Sequence, residues 1–194
     1  MSQPPRLVIF AGPNGAGKSS NAAEILRAIN LATFVNADLI ARGLVGYQTG
    51  AAAFAAGRIM LDRLRDLATR GEDFAFESTL SSRSLVGLLR NCKSRGYRVS
   101  VYYFALDNAD IAVKRVARRV LMGGHSVPEA DIRRRFDRSA RNFFELYAPL
   151  ADLYCVFDSS RDEDASIIAL HADGALTLYD NERWTHLQNI SPRR

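Results

Sequence analysis

Cysteine is scarce in this chain: only Cys92 and Cys155 occur, and they stand far apart. Neither has metal-ligand spacing to other residues, so they read as reduced thiols in a cytoplasmic protein. Long apolar runs are missing too. None approaches the ~18 residues that would suggest a membrane span. The first six residues, ending at Arg6, lead straight into a strand pattern, so no secretory signal is expected. Zinc-finger spacing, an RNA-binding sheet signature and a basic stripe interleaved with aromatics are all lacking. So are the Asn/Thr-Lys-x-Asp guanine signature and the Asp-x-x-Gly switch of a GTPase. Internal repeats and linkers are not seen either, and 194 residues suffice for one α/β domain but not comfortably for two.

What is present begins with an apolar run, Leu7 to Ala11, followed at once by Gly12-Pro-Asn-Gly-Ala-Gly-Lys-Ser19. That octet fits the phosphate-loop pattern G-x-x-x-x-G-K-[ST] at every fixed position. A helical pattern follows through Ala22, Ala23, Ile25, Leu26 and Ile29. Gly12, Gly15 and Gly17 permit backbone angles that let successive N–H groups of the loop, including those of Asn14 and Ala16, turn around an anion. The start of the helix, at Lys18, Ser19 and Ser20, adds unpaired N–H groups and the positive end of its dipole. Lys18 supplies a mobile charge for the β- and γ-phosphates, and the Ser19 hydroxyl is placed to ligate Mg²⁺. Strand, glycine loop and helix together predict ATP binding with Mg²⁺.

Further strand and helix patterns alternate along the chain. Residues 32–38 form a short strand ending in Asn36 and Asp38, and 73–79 a buried one ending in Glu77, Ser78 and Thr79. Residues 98–106 and 152–158 supply two more. Between them, 51–70 reads as an amphipathic helix with Phe54, Ile59, Met60, Leu64 and Leu67 as its apolar positions; 84–93, 108–121 and 128–147 also read as helical. This alternation predicts a P-loop NTPase fold: an α/β domain whose parallel sheet has about five strands, with helices on both faces. From 166 to 188 a small C-terminal β-hairpin is expected, turning at Asp173-Gly174 and covered by Trp184 and Leu187. Asp38, Glu77 and Asp158 all fall at carboxyl ends of strands, the rim where such sheets bind ligands. The segment after Asp158 reads either as an adenine contact or as a plain turn. Tyr102, Tyr103, Phe143, Phe144 and Tyr147 read as packing residues.

The net charge is +5, and Lys and Arg concentrate between Lys114 and Arg141. A local basic patch suits a polyphosphate as well as a nucleic acid. With one acid after each of two strands and an arginine-rich helix pair late in the chain, the layout is that of a small-molecule kinase. Its mobile cationic lid, about 114–141, closes over the transferred phosphoryl group. Nucleic acid is not the expected partner. An end kinase acting on polynucleotides, or a nucleotide-binding regulatory protein with little turnover, are the rival readings.

Residues 10–20, Phe34-Val-Asn-Ala-Asp38, Phe76-Glu-Ser-Thr79 and 96–104 resemble the zeta toxin family of bacterial kinases, as do 115–120, Gly123 to Pro128 and 132–136. The resemblance covers about Leu7 to Ser160. It implies an enzyme that phosphorylates the sugar of UDP-N-acetylglucosamine, or another sugar or nucleoside hydroxyl, and that is held inactive by a small antitoxin. Asp38 matches the family's general base, which accepts the proton of the acceptor hydroxyl. The other reading is a strand-end Asp that caps the next helix. Glu77, Ser78 and Thr79 match the Glu-Gly-Thr segment that contacts the sugar nucleotide, with Ser78 in place of Gly. Arg115 and Arg119, four apart on one helix face, match the γ-phosphate clamp, Arg119 being the preferred catalytic cation. His125 falls where larger members place a second lid arginine, though a His after Gly-Gly also suits a turn. One or two of Arg133, Arg134 and Arg135 complete the clamp, with Arg134 the chosen candidate.

Overall fold

The structure is a computed structural model describing residues 3–44, 49–124, 126–161 and 165–190. Strand β1 (Arg6–Ala11) leads through the glycine loop to helix α1 (Lys18–Ala28), then β2 (Phe34–Val35), α2 (Ala37–Gly43), α3 (Thr49–Arg70) and β3 (Phe74–Ser78). Helix α4 (Ser84–Ser94), β4 (Arg98–Ala105), α5 (Ala109–Leu121) and α6 (Glu129–Asn142) follow. The chain closes with β5 (Leu153–Asp158), β6 (Ser166–Ala172), β7 (Ala175–Leu178) and α7 (Asn181–Asn189).

The strands form one sheet in the order β2-β3-β1-β4-β5-β6-β7. From β2 to β5 every pairing is parallel; β6 and β7 run antiparallel. Strand β1 lies between β3 and β4 and is buried on both faces, which explains its unbroken apolar run. Leu7 and Ile9 face a core built with Leu64, Leu67, Leu89 and Tyr147, while Val8 and Phe10 pack with Ala22, Ala112, Val116 and Phe136. Helices thus cover both faces, as the alternation of elements required.

Three expectations are corrected. The expected C-terminal hairpin forms from β6 and β7, but it extends the main sheet. Its first strand pairs with β5 and carries the sheet to seven strands rather than about five. Its turn is the expected one, with positive φ at both Asp173 and Gly174, and α7 buries Trp184 and Leu187 beneath it. The helix expected over 128–147 stays α-helical only to Asn142, then widens into a π-turn over Phe143–Tyr147. On α3, Phe54 and Ile59 are exposed; Met60, Leu64 and Leu67 make the buried stripe. Both cysteines are free and buried, and burial pushes each thiol up to about 11, so neither is a reactive thiolate. Among the described residues no helix is long and apolar enough to cross a membrane.

Candidate active site

The glycine loop is held by close backbone contact. A Cβ on Gly12, whose φ is 137°, would stand 2.3 Å from the carbonyl oxygen of Phe104 in β4. Gly17, at φ 75°, forms the left-handed turn into α1. Lys18 is buried at the first position of that helix, and its Nζ donates to the Pro13 carbonyl at 2.8 Å. Burial lowers the Lys18 pKa from its ordinary value, while the carboxylates of Glu77 and Asp38 pull the other way.

Parallel pairing of β2, β3 and β1 brings three distant positions onto this loop. Glu77, at the end of β3, accepts the Ser19 hydroxyl at 2.6 Å and the Asn36 amide at 2.9 Å, both on Oε2. Its other oxygen lies 3.7 Å from Lys18 Nζ. The resemblance pairs Glu77 with the acceptor; in the structure its carboxylate lines the cleft and contacts the loop's Ser19 and Lys18. A hydroxyl beside a carboxylate is a hard-oxygen donor set of the kind Mg²⁺ takes, the remaining ligands coming from phosphates and water.

Asn36 is the residue that sequence reading passed over. Its Oδ1 accepts the N–H groups of Asp38 (2.8 Å) and Leu39 (3.3 Å), so Asn36 caps α2. Asp38 is therefore not the cap. Its carboxylate is half-exposed in the cleft, 3.9 Å from Arg119 Nη1. The signal was legible: an Asn at a strand end, two residues before an acid in a helical first turn. Ser78 spends its hydroxyl accepting the Leu80 N–H at 3.0 Å in a left-handed turn, and Thr79 bonds the Ser81 hydroxyl at 2.9 Å. Both still line the cleft.

The arginines divide by role. Arg115 gives its guanidinium to the carbonyls of Ser159 (2.5 Å), Ser160 (3.3 Å) and Arg161 (2.6 Å), fastening α5 to the segment after β5. Arg119, one turn on, reaches Asp38. Of the α6 arginines it is Arg135 that lines the cleft. Arg134 pairs with Asp131 at 2.7 Å and lines a neighbouring cavity, and Arg133 bridges Glu129 and Asp110 at 2.8 Å each. His125 lies outside the described residues. Asp158, at the end of β5, does not line the cleft: Arg183 of α7 grips it at 2.6 Å and also pairs with Asp107. Burial pushes the Asp158 carboxyl up, but hydrogen bonds from Ser160 and Arg183 outweigh it and hold the group below the usual carboxylate range.

The cleft over the loop encloses about 800 Å³. Its lining includes Asn14, Gly15, Lys18 and Ser20 of the loop and α1, and the apolar side chains of Phe54, Met60, Leu61 and Leu85. The Asn14 side-chain oxygen is buried there with no hydrogen-bond partner among the described residues.

Phosphate loop, parallel sheet and rim acids define a P-loop nucleotide-binding protein. Residues 7–143 match a family described as AAA domain, and the chain belongs to that family. An uncharacterized protein of Haemophilus influenzae (strain Rd) is 27% identical over 134 residues, which are 68% of this chain and 92% of that protein. Among solved structures, a chain of the AvrRxo1-ORF1:-ORF2 complex with ATP superimposes with a TM-score of 0.74 at 18% identity, covering 98% of this chain. The present chain spans 64% of its length. A chain of the PezAT toxin–antitoxin system of Streptococcus pneumoniae gives 0.65 at 14% identity, covering 98% of this chain and 79% of the other. At these identities the likeness is one of fold, and the zeta toxin resemblance of the motifs holds at that level.

Proposed function

We propose that this chain is an ATP-dependent kinase of the zeta toxin type, transferring the γ-phosphoryl group of MgATP to a hydroxyl of a small acceptor. One observation carries the reading: Asp38 stands in the same cleft as the phosphate loop, with its carboxylate relieved of the helix cap by Asn36. A phosphoryl acceptor needs a base within reach of its hydroxyl, and catalysis otherwise rests on positioning and charge. Asp38 orients that hydroxyl and takes its proton. Lys18 faces the nucleotide phosphates, and Arg119 and Arg135 offset the charge that spreads over the transferring group. The Ser19 hydroxyl, with Glu77 hydrogen-bonded to it, would hold Mg²⁺, which would further neutralise the phosphates. UDP-N-acetylglucosamine is the first acceptor to test, and a small antitoxin is the partner implied by the same likeness.

The test uses purified protein with Mg²⁺ and γ-labelled ATP, a metabolite panel that includes UDP-N-acetylglucosamine, and the Asp38→Asn variant alongside. Label is expected on one class of acceptor, falling by about 10²–10⁴-fold in the variant while ATP affinity holds. Undiminished transfer by Asp38→Asn would remove Asp38 from the mechanism. Label on oligonucleotide ends alone would replace the small-molecule acceptor with a polynucleotide.

A further inference from the structure

The side-chain oxygen of Asn14 is buried, and among the described residues no N–H or O–H group reaches it. A buried acceptor without a donor has given up water and gained nothing in return, so folds keep few of them, and each calls for a reason. Loop geometry supplies none. Gly12, Gly15 and Gly17 carry the positive φ angles of the loop; Asn14 does not. What the loop binds, and not how the loop is built, accounts for an asparagine at this position.

Its neighbours say which part of the nucleotide it meets. Lys18 Nζ donates to the carbonyl of Pro13, the residue before Asn14, so the ammonium and the carboxamide share one end of the loop. At the residue after, Gly15, a Cβ would stand 3.0 Å from the Ala112 carbonyl oxygen and 3.1 Å from Arg115 Cβ. Helix α5 thus closes that flank, and Arg119 stands one turn beyond Arg115. Asn14, Lys18, Asp38 and Arg119 all line the cleft. A phosphoryl group passing from a nucleotide on the loop to a hydroxyl at Asp38 travels among these four side chains. Two of them are cations, and a third cation would repel both; a carboxamide donates a hydrogen bond without adding charge.

We propose that the Asn14 side chain reads the third phosphate: with a triphosphate on the loop, its carboxamide donates an N–H to a γ-phosphoryl oxygen. This rests on the nucleotide-binding half of the reading above. Ionised phosphoryl oxygens only accept, so the oxygen end of the amide is not the end that meets them. Half a turn about the last side-chain bond puts the nitrogen where the oxygen now stands, in nearly the same shape. A diphosphate leaves that nitrogen with no acceptor. Asn14 therefore separates ATP from ADP at the binding step, and the hold on the nucleotide loosens once the phosphoryl group has moved to the acceptor.

Calorimetric titration of the full chain with Mg²⁺ tests it, using a non-hydrolysable ATP analogue and ADP against wild type, Asn14→Ala, Asn14→Asp and Asn14→Ser. Asn14→Ala is expected to lose about ten- to a hundredfold in affinity for the analogue, the worth of a hydrogen bond to a charged group, and to keep its affinity for ADP. Asn14→Asp keeps the shape but sets a carboxylate against the γ-phosphate, so it should bind the analogue more weakly still. Asn14→Ser retains a short donor and should recover part of the loss. Beryllium fluoride, which stands in for a γ-phosphoryl group, should tighten ADP on wild type and not on Asn14→Ala. Without nucleotide, Asn14→Ala should melt no earlier than wild type, since it removes an acceptor that has no donor. Equal losses for the analogue and ADP, or an earlier melt, would make Asn14 a loop-shaping residue and overturn the inference. Wild-type affinity of Asn14→Asp for the analogue would overturn it too, by making the oxygen the working end. No nucleotide binding by wild type overturns the inference together with the nucleotide reading. The expected pattern of affinities, with no acceptor labelled in the transfer assay, sustains the role of Asn14 and overturns the kinase reading instead.

Discussion

Asn36 uses both ends of one amide: its oxygen caps α2 and its nitrogen holds Glu77. The two jobs can be separated. Asn36→Ala is expected to cost about 1–2 kcal/mol in thermal denaturation, the usual cost of losing an N-cap, and to slow phosphoryl transfer as well. Asn36→Ser keeps an oxygen for the cap but not the donor to Glu77. Stability should largely return while turnover stays low; recovery of both would make Asn36 a structural residue only. Glu77→Gln, which removes the carboxylate beside the Ser19 hydroxyl, should raise the Mg²⁺ concentration for half-maximal transfer at least tenfold, read from a metal titration of activity. The phosphate loop was fully legible in the sequence because all its chemistry lies within eight consecutive residues. The grip of Glu77 on Ser19 was not, since it depends on parallel pairing that joins positions 19, 36 and 77. Which of Arg133, Arg134 and Arg135 lines the cleft was not legible either, for a different reason. Each residue turns a helix by about 100°, so consecutive arginines point to three sides, and only the packing of α6 fixes which of them meets the cleft.

At the scale of elements, strands and helices were readable from period and punctuation, as the Asp173-Gly174 turn shows. The pairing of β6 with β5 was not, because an antiparallel partner eight to nineteen residues away leaves no local mark. The junction of β1 with the loop offers a sharp test. Gly12→Ala would drive a methyl into a backbone oxygen of β4 that cannot move without breaking the sheet. Loss of several kcal/mol or failure to fold is expected, and no nucleotide binding. Gly71→Ala, at a similarly left-handed φ of 69° but facing open space, should cost only about 1 kcal/mol. Equal stabilities of the two variants by denaturant titration would refute the close approach.

For the whole molecule, the last helix is tied to the rim by Arg183, which grips both Asp107 and Asp158. Because Asp158 is held below its ordinary value of 3.8, the folded state gains stability from it above that value and loses the gain as pH falls through the lower, folded-state value. Arg183→Gln is therefore expected to melt earlier than wild type at neutral pH, with the two melting curves converging as pH drops below 3.8. A constant gap across the acid range would show that the clasp stabilises by packing and not by charge.

The seat of Gly12 against Phe104 has a consequence for motion. The loop cannot keep this shape unless β4 keeps its place, so a nucleotide that selects the shape also restrains the middle of the sheet. Backbone amides of β1 and β4 should exchange their hydrogens with solvent more slowly once MgATP analogue is bound. Those of β7, an exposed edge six strand positions from β2, should exchange as before. Nucleotide binding would then be visible as a slowing of local opening far from any phosphate.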